Sequence, residues 1–536
     1  MLRLLLCTVL GLASTAWADD RPNIVWLSVE DMSPWLGCYG DDTVPTPNID
    51  ALAARGTLYT SAFATTPVCA PARSTLITGQ YATGTGALHM RNGNPSRAGL
   101  ARDPNAYDDI PNYEAVPEQN VQCFPEILRA AGYWCTNNAK QDYQFKVPLT
   151  VWDESGRTAH WKHRARADQP FFAVFNHVGT HESGTFSGTK RKPQVVAPAD
   201  VDVPPYYPDT QSVRRDMART YDNIAAMDAW VGRKIAELEA AGELNDTIVI
   251  FFSDHGVGLP RGKRCVYDSG TRVPLIVVHP TPGSDAAVSN RVVSFIDFAP
   301  TMMSLAGLEP SKWAEGKAFD GAFAEAGTGL AFMHADRMDS VLDRTRSVSD
   351  GRFRYIRNFM PERPRLYFTA YADNIPMMAD IRALDGSKEG TAEQWQMVNA
   401  TKPAEEFYDS RRDPHEVVNL IDNIEHAERI GSMRTALGDW MERTRDMGGI
   451  SESELVRTRI WPPDGVQPTT TSPRARTDSF GSRLVSATPG ASVGWRPLGS
   501  EAWQVFVGPI QLDEGIRIEA FAHRIGFKPS PIVELP

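Results

Sequence analysis

The chain has 536 residues, of which 42% are hydrophobic, 23% charged and 9% aromatic, which is enough apolar material for a large core. The 55 Lys and Arg residues against 66 Asp and Glu give a formal net charge of −11, which excludes attraction of nucleic acid or anionic lipid by bulk charge. An anionic substrate would have to be attracted by a local cluster of cationic side chains or by a metal ion.

The N-terminal stretch MLRLLLCTVLGLASTAWA predicts a secretory signal peptide over residues 1–18. It has one Arg, an apolar run and small residues before the cleavage position. A membrane-spanning helix needs about 20 apolar residues, and neither this run nor any later segment reaches that length. We therefore expect export to the periplasm or the extracellular space, with no membrane anchor.

Five cysteines remain once Cys7 leaves with the signal peptide. An odd number in an exported protein indicates one reactive or modified thiol. The five are Cys38, Cys69, Cys123, Cys135 and Cys265. The four left over allow three disulfide pairings and are equally compatible with buried free thiols.

Three short, continuous apolar runs have the pattern of buried parallel strands. The runs are NIVWLS (23–28), FFAVFN (171–176) and TIVIFF (247–252). Acidic or His residues follow each run: Glu30 and Asp31, His177 and His181, Asp254 and His255. Because ligands bind at the carboxyl ends of strands in such sheets, we expect these side chains to share one site.

Apolar residues at spacings of three and four between Met217 and Leu238 predict a helix that ends near Gly242. Alternation of strands and helices on this scale predicts a doubly wound, mostly parallel α/β domain over residues 19–350.

The remainder of the chain has a different pattern. Residues 351–460 contain EEFYDSRRDPHEVVNLID, with turn signals and then a helical stretch, and predict a smaller α+β subdomain. Residues 461–477, rich in Pro, Thr and Ser, predict a linker. Short, partly alternating apolar runs over 478–536 predict a small β-sandwich-like module.

The stretch CAPARSTLITG (69–79) follows a strand-like run at 57–64. Pro71 suits the first turn of a helix, which would place Cys69 at a helix N-terminus. There the helix dipole favours anions and lowers the pKa of a thiol. The alternative is that Cys69 is a small buried apolar residue.

Cys69-Ala70-Pro71-Ala72-Arg73 resembles the Cys-x-Pro-x-Arg signature of the type I, formylglycine-dependent sulfatases of the alkaline phosphatase superfamily. RPNIVWLSVEDMS, NDTIVIFFSDHG and RGKRCVYDSGTRVPLIV resemble segments of the same family, and the similarity covers roughly residues 21–420. EDMSPWLGCYGD and THESG look most like the heparan N-sulfatase-like branch. The resemblance implies an alkaline-phosphatase-like fold.

In that family the signature Cys is oxidised to formylglycine by a formylglycine-generating enzyme. The resemblance implies this fate for Cys69, with Pro71 and Arg73 read by the converting enzyme and Arg73 afterwards holding the aldehyde hydrate. One hydroxyl of the hydrate attacks sulfur and displaces the alcohol. The other then loses its proton and expels sulfate, which regenerates the aldehyde.

The resemblance also implies a divalent metal ion held by modified Cys69 together with Glu30, Asp31, Asp254 and His255. Oxygen ligands favour Ca²⁺, whereas an imidazole is less usual for calcium and leaves Mn²⁺ or Zn²⁺ open. Glu30 stands where the family usually has Asp, and His255 where Asn is common.

Lys140, His181 and Lys263 match the family's sulfate-contacting and leaving-group positions. His181 or Lys263 could protonate the departing oxygen. His177 is an alternative for His181, and Gln141-Asp142 replaces the Trp-His that many relatives carry after the Lys.

His89, Arg91, Asp336 and Arg337 are candidate sugar contacts, and structural salt bridges are the alternative for each. The C-terminal module resembles small sandwich domains of secreted glycan-degrading enzymes. We expect it to brace the catalytic domain rather than to bind carbohydrate.

The resemblance implies a sulfatase that acts on a sulfated sugar or glycosaminoglycan-like substrate. Two other hypotheses stay open at this point. One is a phosphodiesterase or phosphonate monoester hydrolase of the same superfamily. The other is an inactive protein that binds sulfated glycans.

Overall fold

The structure is a computed structural model. It describes residues 21–91, 110–280, 286–339, 341–366, 369–461, 466–478, 481–510 and 517–535. The predicted signal peptide lies outside the described residues. Within these ranges no helix combines the length and apolarity needed to cross a bilayer.

An eight-stranded mixed sheet forms the centre of the molecule. Its strands are β1 (Asn23–Val29), β2 (Thr57–Phe63), β3 (Trp134–Asn138), β4 (Glu154–Ser155), β5 (Phe171–His177), β6 (Thr247–Ser253), β7 (Arg272–Val278) and β8 (Ala287–Ser294). Their order across the sheet is β4-β3-β5-β1-β6-β7-β2-β8, and only β7 runs antiparallel to its neighbours. The three predicted strands are thus confirmed as the adjacent parallel strands β5, β1 and β6.

The described helices are α1 (Pro47–Ala53), α2 (Cys69–Thr78), α3 (Ala82–Thr85), α4 (Phe124–Ala130), α5 (Gln211–Ala240), α6 (Asp268–Thr271), α7 (Phe298–Leu305), α8 (Met377–Arg382), α9 (Ala392–Val398), α10 (Ala427–Arg443) and α11 (Glu452–Leu455). Short 3₁₀ turns lie between them, among them Glu182–Thr185. The predicted helix is α5, which ends two residues before Gly242.

Helices cover both faces of the large sheet because its central strands are apolar on both sides. On one face α5 packs through Met217 and Ile224 against Leu27 and its neighbours. On the other face α2 and α7 pack through Leu76 and Met302. Two buried layers on one sheet confirm the doubly wound α/β prediction.

A second, antiparallel sheet has four strands: β9 (Ala331–Ala335), β10 (Thr345–Ser349), β11 (Phe353–Asn358) and β12 (Glu405–Asp409). Helix α10 packs on it through the fully buried Trp440. Its first two strands precede the predicted boundary at residue 351, because β10 pairs with β11, which follows the boundary, and β9 pairs with β10.

The C-terminal region holds β13 (Arg474–Asp478), β14 (Gly481–Val485), β15 (Ser492–Pro497), β16 (Gln504–Val505), β17 (Ile518–His523) and β18 (Val533–Leu535), in two small antiparallel sheets. β13 begins inside the stretch predicted as a linker. Arg129 of α4 donates from Nη2 to the Trp503 carbonyl at 2.7 Å, and Ile525 packs into the main core. These contacts join the module to the main domain, and its bracing role stays a prediction.

All five described cysteines are free thiols, so the open choice between disulfides and free thiols is decided for the latter. Four of them are buried, and Cys38 is half-buried.

Candidate active site

Strands β5, β1 and β6 end at the same level, and the candidate site lies just beyond them. Val29 pairs with His177 on one side and Ser253 on the other, so the residues that follow each strand leave the sheet together. The N-terminus of α2 lies against the same edge. The side chains expected at these strand ends, apart from His177, therefore lie at one edge of the sheet.

Asp31 is the hub of this site and is completely buried. Its Oδ1 lies 3.0 Å from His255 Nε2, and its Oδ2 lies 2.8 Å from both Lys263 Nζ and the Glu182 backbone nitrogen. Its backbone N–H donates to Asp254 Oδ1 at 3.1 Å. The backbone of Asp31 has a φ of 50°, a left-handed conformation that these contacts stabilise.

Cys69 is the first residue of α2, as the sequence predicts, and its side chain faces the hub. Its Sγ lies 3.3 Å from His255 Nε2 and 3.9 Å from Asp31 Oδ1. Burial raises the pKa of this thiol, but the ammonium groups of Lys263 and Lys140 lower it by more, so that the pKa falls to about 6. The environment therefore stabilises negative charge at the position of residue 69.

Arg73 lies one turn along α2 and is anchored from two sides. Its Nε donates to Asp254 Oδ2 at 3.0 Å, and its Nη1 donates to Asn176 Oδ1 at 2.8 Å. Burial lowers the pKa of the guanidinium, and Asp254 raises it by more. The sequence analysis did not single out Asn176, although its place at the end of β5 was a usable signal.

The ligand atoms of Asp31, Cys69, Asp254 and His255 all lie within 4.8 Å of one another and are buried. His255 Nδ1 donates to the Gly256 carbonyl at 2.9 Å, which directs Nε2 toward the carboxylates. Burial lowers the pKa of His255, but Asp254 and Asp31 raise it to about 10. The carboxylates of Asp31 and Asp254 thus favour a positive charge beside them. The four side chains are close enough together to bind one divalent metal ion.

Glu30 stands where the family resemblance leads us to expect Asp. It belongs to a second set of possible metal ligands, which overlaps the first. This group consists of Glu30, Asp31, Cys69 and His181. The Glu30 carboxylate also lies 3.0 Å from Lys140 Nζ. The longer side chain therefore reaches both the candidate metal position and a cationic residue.

Lys263 connects the hub to the turn that begins after His181. Its Nζ lies 2.8 Å from Asp31 Oδ2, 3.0 Å from Glu182 Oε1 and 3.2 Å from His181 Nε2. Arg264 forms a bidentate ion pair with Glu182 at 2.8 and 2.9 Å. Sequence reasoning missed Glu182 and Arg264. The available signal was their direct adjacency to His181 and Lys263.

The structure distinguishes His181 from His177. His177 turns away from the cluster, and its ring lies 5.0 Å from that of Trp230 on α5. His181 instead contacts Lys263 through Nε2, while its Nδ1 lies 2.9 Å from Ser183 Oγ. Of the two, only His181 is placed to exchange a proton with a group bound at residue 69.

Asp142 lies two residues after Lys140, at the edge of the candidate site. It forms an ion pair with Arg91 and lies 3.8 Å from Lys140 Nζ. Arg91 is thereby held at the edge of the site, with 42% of its side chain exposed. This location is compatible with the predicted sugar contact, which stays a prediction.

His89, Asp336 and Arg337 form a separate buried network. The Arg337 backbone N–H donates to His89 Nδ1 at 3.2 Å, and its guanidinium pairs with Glu452. Asp336 accepts two hydrogen bonds from Arg346, at 3.1 and 3.0 Å. The three residues also line a cavity of about 420 Å³. The ion pairs match the structural alternative, and the sugar contacts stay predictions.

Arg337→Ala tests these alternatives. Because the side chains of Arg337 and Glu452 are only 1% and 5% exposed, we expect the variant to lose about 3–5 kcal/mol of unfolding free energy, measured by urea denaturation. The matched control is Arg445→Ala, which breaks an exposed pair with Glu118 and should cost under about 1 kcal/mol. A stable Arg337→Ala protein with a raised KM would instead favour a sugar contact.

Comparisons with known proteins relate this chain to sulfatases. The Sulfatase family model matches residues 22–308. An ulvan-active sulfatase of Formosa agariphila is 38% identical over 555 residues, covering 96% of this chain and 91% of that protein. The N-sulphoglucosamine sulphohydrolase of Homo sapiens is 28% identical over 510 residues, covering 85% and 97%. The structure of BT4656 in complex with D-glucosamine-2-N,6-O-disulfate shares the fold, with a TM-score of 0.55 at 16% identity over 81% of this chain and 100% of that chain.

Proposed function

The chain belongs to the sulfatase family, and from this we propose that it removes sulfate from a sulfated carbohydrate through a formylglycine made from Cys69. The observation that carries the proposal is the placement of Cys69. It lies at the start of α2, with its Sγ facing two metal-ligand-type side chains, and nearby ammonium groups favour negative charge there.

The relatives point to the class of substrate. The Formosa protein is named for ulvan and the human enzyme for N-sulphoglucosamine, and both are sulfated carbohydrates. Because the ulvan-active relative is more similar and covers nine-tenths of both chains, we propose an ulvan-type oligosaccharide as the first candidate substrate.

Glu30, Asp31, Asp254 and His255, together with residue 69, would hold the metal ion, for which we propose Ca²⁺. When bound, the ion supplies Lewis-acid polarisation of a sulfate oxygen and lowers the pKa of the attacking hydroxyl. The hydrated aldehyde at residue 69 would supply that hydroxyl and a second one that allows release of sulfate.

Three cationic side chains lie around residue 69, where we propose that the sulfate group binds. Lys140 and Lys263 both act on residue 69 electrostatically, and Arg73 is fixed by Asp254 and Asn176. Preorganised charges of this kind stabilise the negative charge that develops on the transferred group without reorganisation during the reaction. They provide the local attraction for an anion that the net charge of −11 does not.

Departure of the alcohol requires a proton. Asp31 and Glu182 keep Lys263 protonated, since burial lowers its pKa but these carboxylates raise it well above its usual value. Lys263 Nζ lies 3.2 Å from His181 Nε2, so the two groups can share one proton. We propose that this pair protonates the leaving oxygen and is recharged from solvent through His181, which is the more exposed member.

The test combines mass spectrometry and activity on protein co-expressed with a formylglycine-generating enzyme. The peptide 56–73 should contain an aldehyde in place of the Cys69 thiol. The same protein should hydrolyse 4-nitrophenyl sulfate and release sulfate from ulvan oligosaccharides. A strong preference for bis(4-nitrophenyl) phosphate or an aryl phosphonate monoester over 4-nitrophenyl sulfate would support the phosphodiesterase or phosphonate monoester hydrolase alternative. Binding of sulfated oligosaccharide without release, in matured protein, would support the inactive-binder alternative.

A further inference from the structure

A second, smaller cavity of about 150 Å³ lies between the turn Glu182–Thr185, the segment 191–198 and the first half of α5. Its lining includes Gly184, Arg191, Lys192, Arg215, Arg219 and Asp222. Exposed residues line part of this cavity, so one anionic group of a larger ligand can reach it.

The lining is strongly cationic. Its one acid, Asp222, is engaged by the backbone N–H groups of Val195 and Val196, at 2.7 and 3.0 Å. Arg219 is partly neutralised by Asp216, at 3.1 Å. The other three cations are Arg191, Lys192 and Arg215, all exposed.

Within the described part of the chain, none of these three forms an ion pair. Arg215 does donate hydrogen bonds to Gln211, at 3.2 and 3.4 Å. In a protein of net charge −11, three cations that form no ion pair create a local positive field around the cavity. A guanidinium can grip a sulfate or carboxylate with two parallel hydrogen bonds, and the ammonium adds a further charge.

The cavity and the candidate active site lie on opposite sides of the same turn. Glu182 of this turn contacts Asp31 and Lys263, whereas Gly184 faces the cavity. Arg219 donates from Nη1 to the Thr185 carbonyl at 3.2 Å, which fixes the cavity wall to the turn. A glycan with one anionic group at residue 69 could thus present another to the cavity.

We propose that this cavity is a second anion subsite, which binds a sulfate or carboxylate of the same glycan chain whose scissile sulfate lies at Cys69. The proposal rests on the proposed function. It implies that the protein prefers oligosaccharides with more than one anionic group over small sulfate esters. The preference should weaken with salt, because exposed charges are screened.

The test is the triple variant Arg191→Ala/Lys192→Ala/Arg215→Ala. The control is Arg166→Ala/Arg411→Ala/Arg459→Ala, which removes the same charge from exposed positions outside the cavity. The kcat/KM for an ulvan tetrasaccharide fraction, divided by that for 4-nitrophenyl sulfate, should fall at least about tenfold in the first variant at low salt. In the control it should change less than about twofold. An unchanged ratio in the first variant would overturn the subsite.

A binding measurement separates this proposal from the proposed function. In a Cys69→Ala background, the Kd for a fluorescent ulvan tetrasaccharide should rise at least about tenfold when the three cavity cations are removed. Cavity-dependent binding in this background, together with no sulfate release by the matured protein with an intact Cys69, would support the subsite and contradict the proposed function. Equal Kd values with and without the cavity cations would contradict the subsite, whatever the turnover.

Discussion

Cys69→Ala is expected to lower sulfate-ester turnover by at least about 10⁴-fold while leaving the protein folded. The substitution removes the atom that carries the nucleophile but only one heavy atom of packing, at a cost of about 1 kcal/mol. Asp31, His255 and Lys263 keep their mutual contacts, so the rest of the site stays assembled. Turnover of 4-nitrophenyl sulfate, the circular dichroism spectrum and the melting temperature are the measurements.

Cys135→Ala is the matched control because Cys135 is also a buried free thiol, located in β3 within the main core. It should lose similar stability and keep its activity. If Cys69→Ala retained turnover well above background, residue 69 would not be the nucleophile and the mechanism proposed here would be wrong.

Asp31→Asn is expected to reduce kcat/KM by at least about 10³-fold and to remove bound metal. The carboxylate faces His255 and Lys263 at once, so its loss removes a metal ligand and one partner of the proposed acid. Lys263 keeps Glu182 at 3.0 Å, which should preserve folding. Metal content is measured by inductively coupled plasma mass spectrometry and should fall from about one ion per chain to a small fraction.

The control for this variant is Asp42→Asn, an exposed carboxylate outside the site, which should retain both metal and activity. Full metal occupancy in Asp31→Asn would contradict the assignment of Asp31 as a ligand. Lost metal with retained activity would contradict the role of the metal in the reaction.

Much of the fold could be predicted because its signals are local. The runs at 23–28, 171–176 and 247–252 are apolar on both faces, which only strands covered by helices on both sides can satisfy. The helix α5 was also predictable from a local signal, because apolar residues at spacings of three and four between Met217 and Leu238 form one apolar helix face. The boundary at 351 could not be found in this way, because pairing of β10 with β11 joins residues on both sides of it.

For the site, the sequence by itself determined which residue types stand at the strand ends and that Cys69 begins a helix. Only the tertiary structure decided which of them meet. His181 rather than His177 contacts Lys263, since the chain turns after β5 and directs one ring inward and the other toward α5. The contacts of Glu182 and Asn176 and the cationic cavity were likewise not predictable from the sequence, although both residues stand next to predicted site positions. Their partners lie tens of residues away along the chain, and only folding brings those charges to hydrogen-bonding distance.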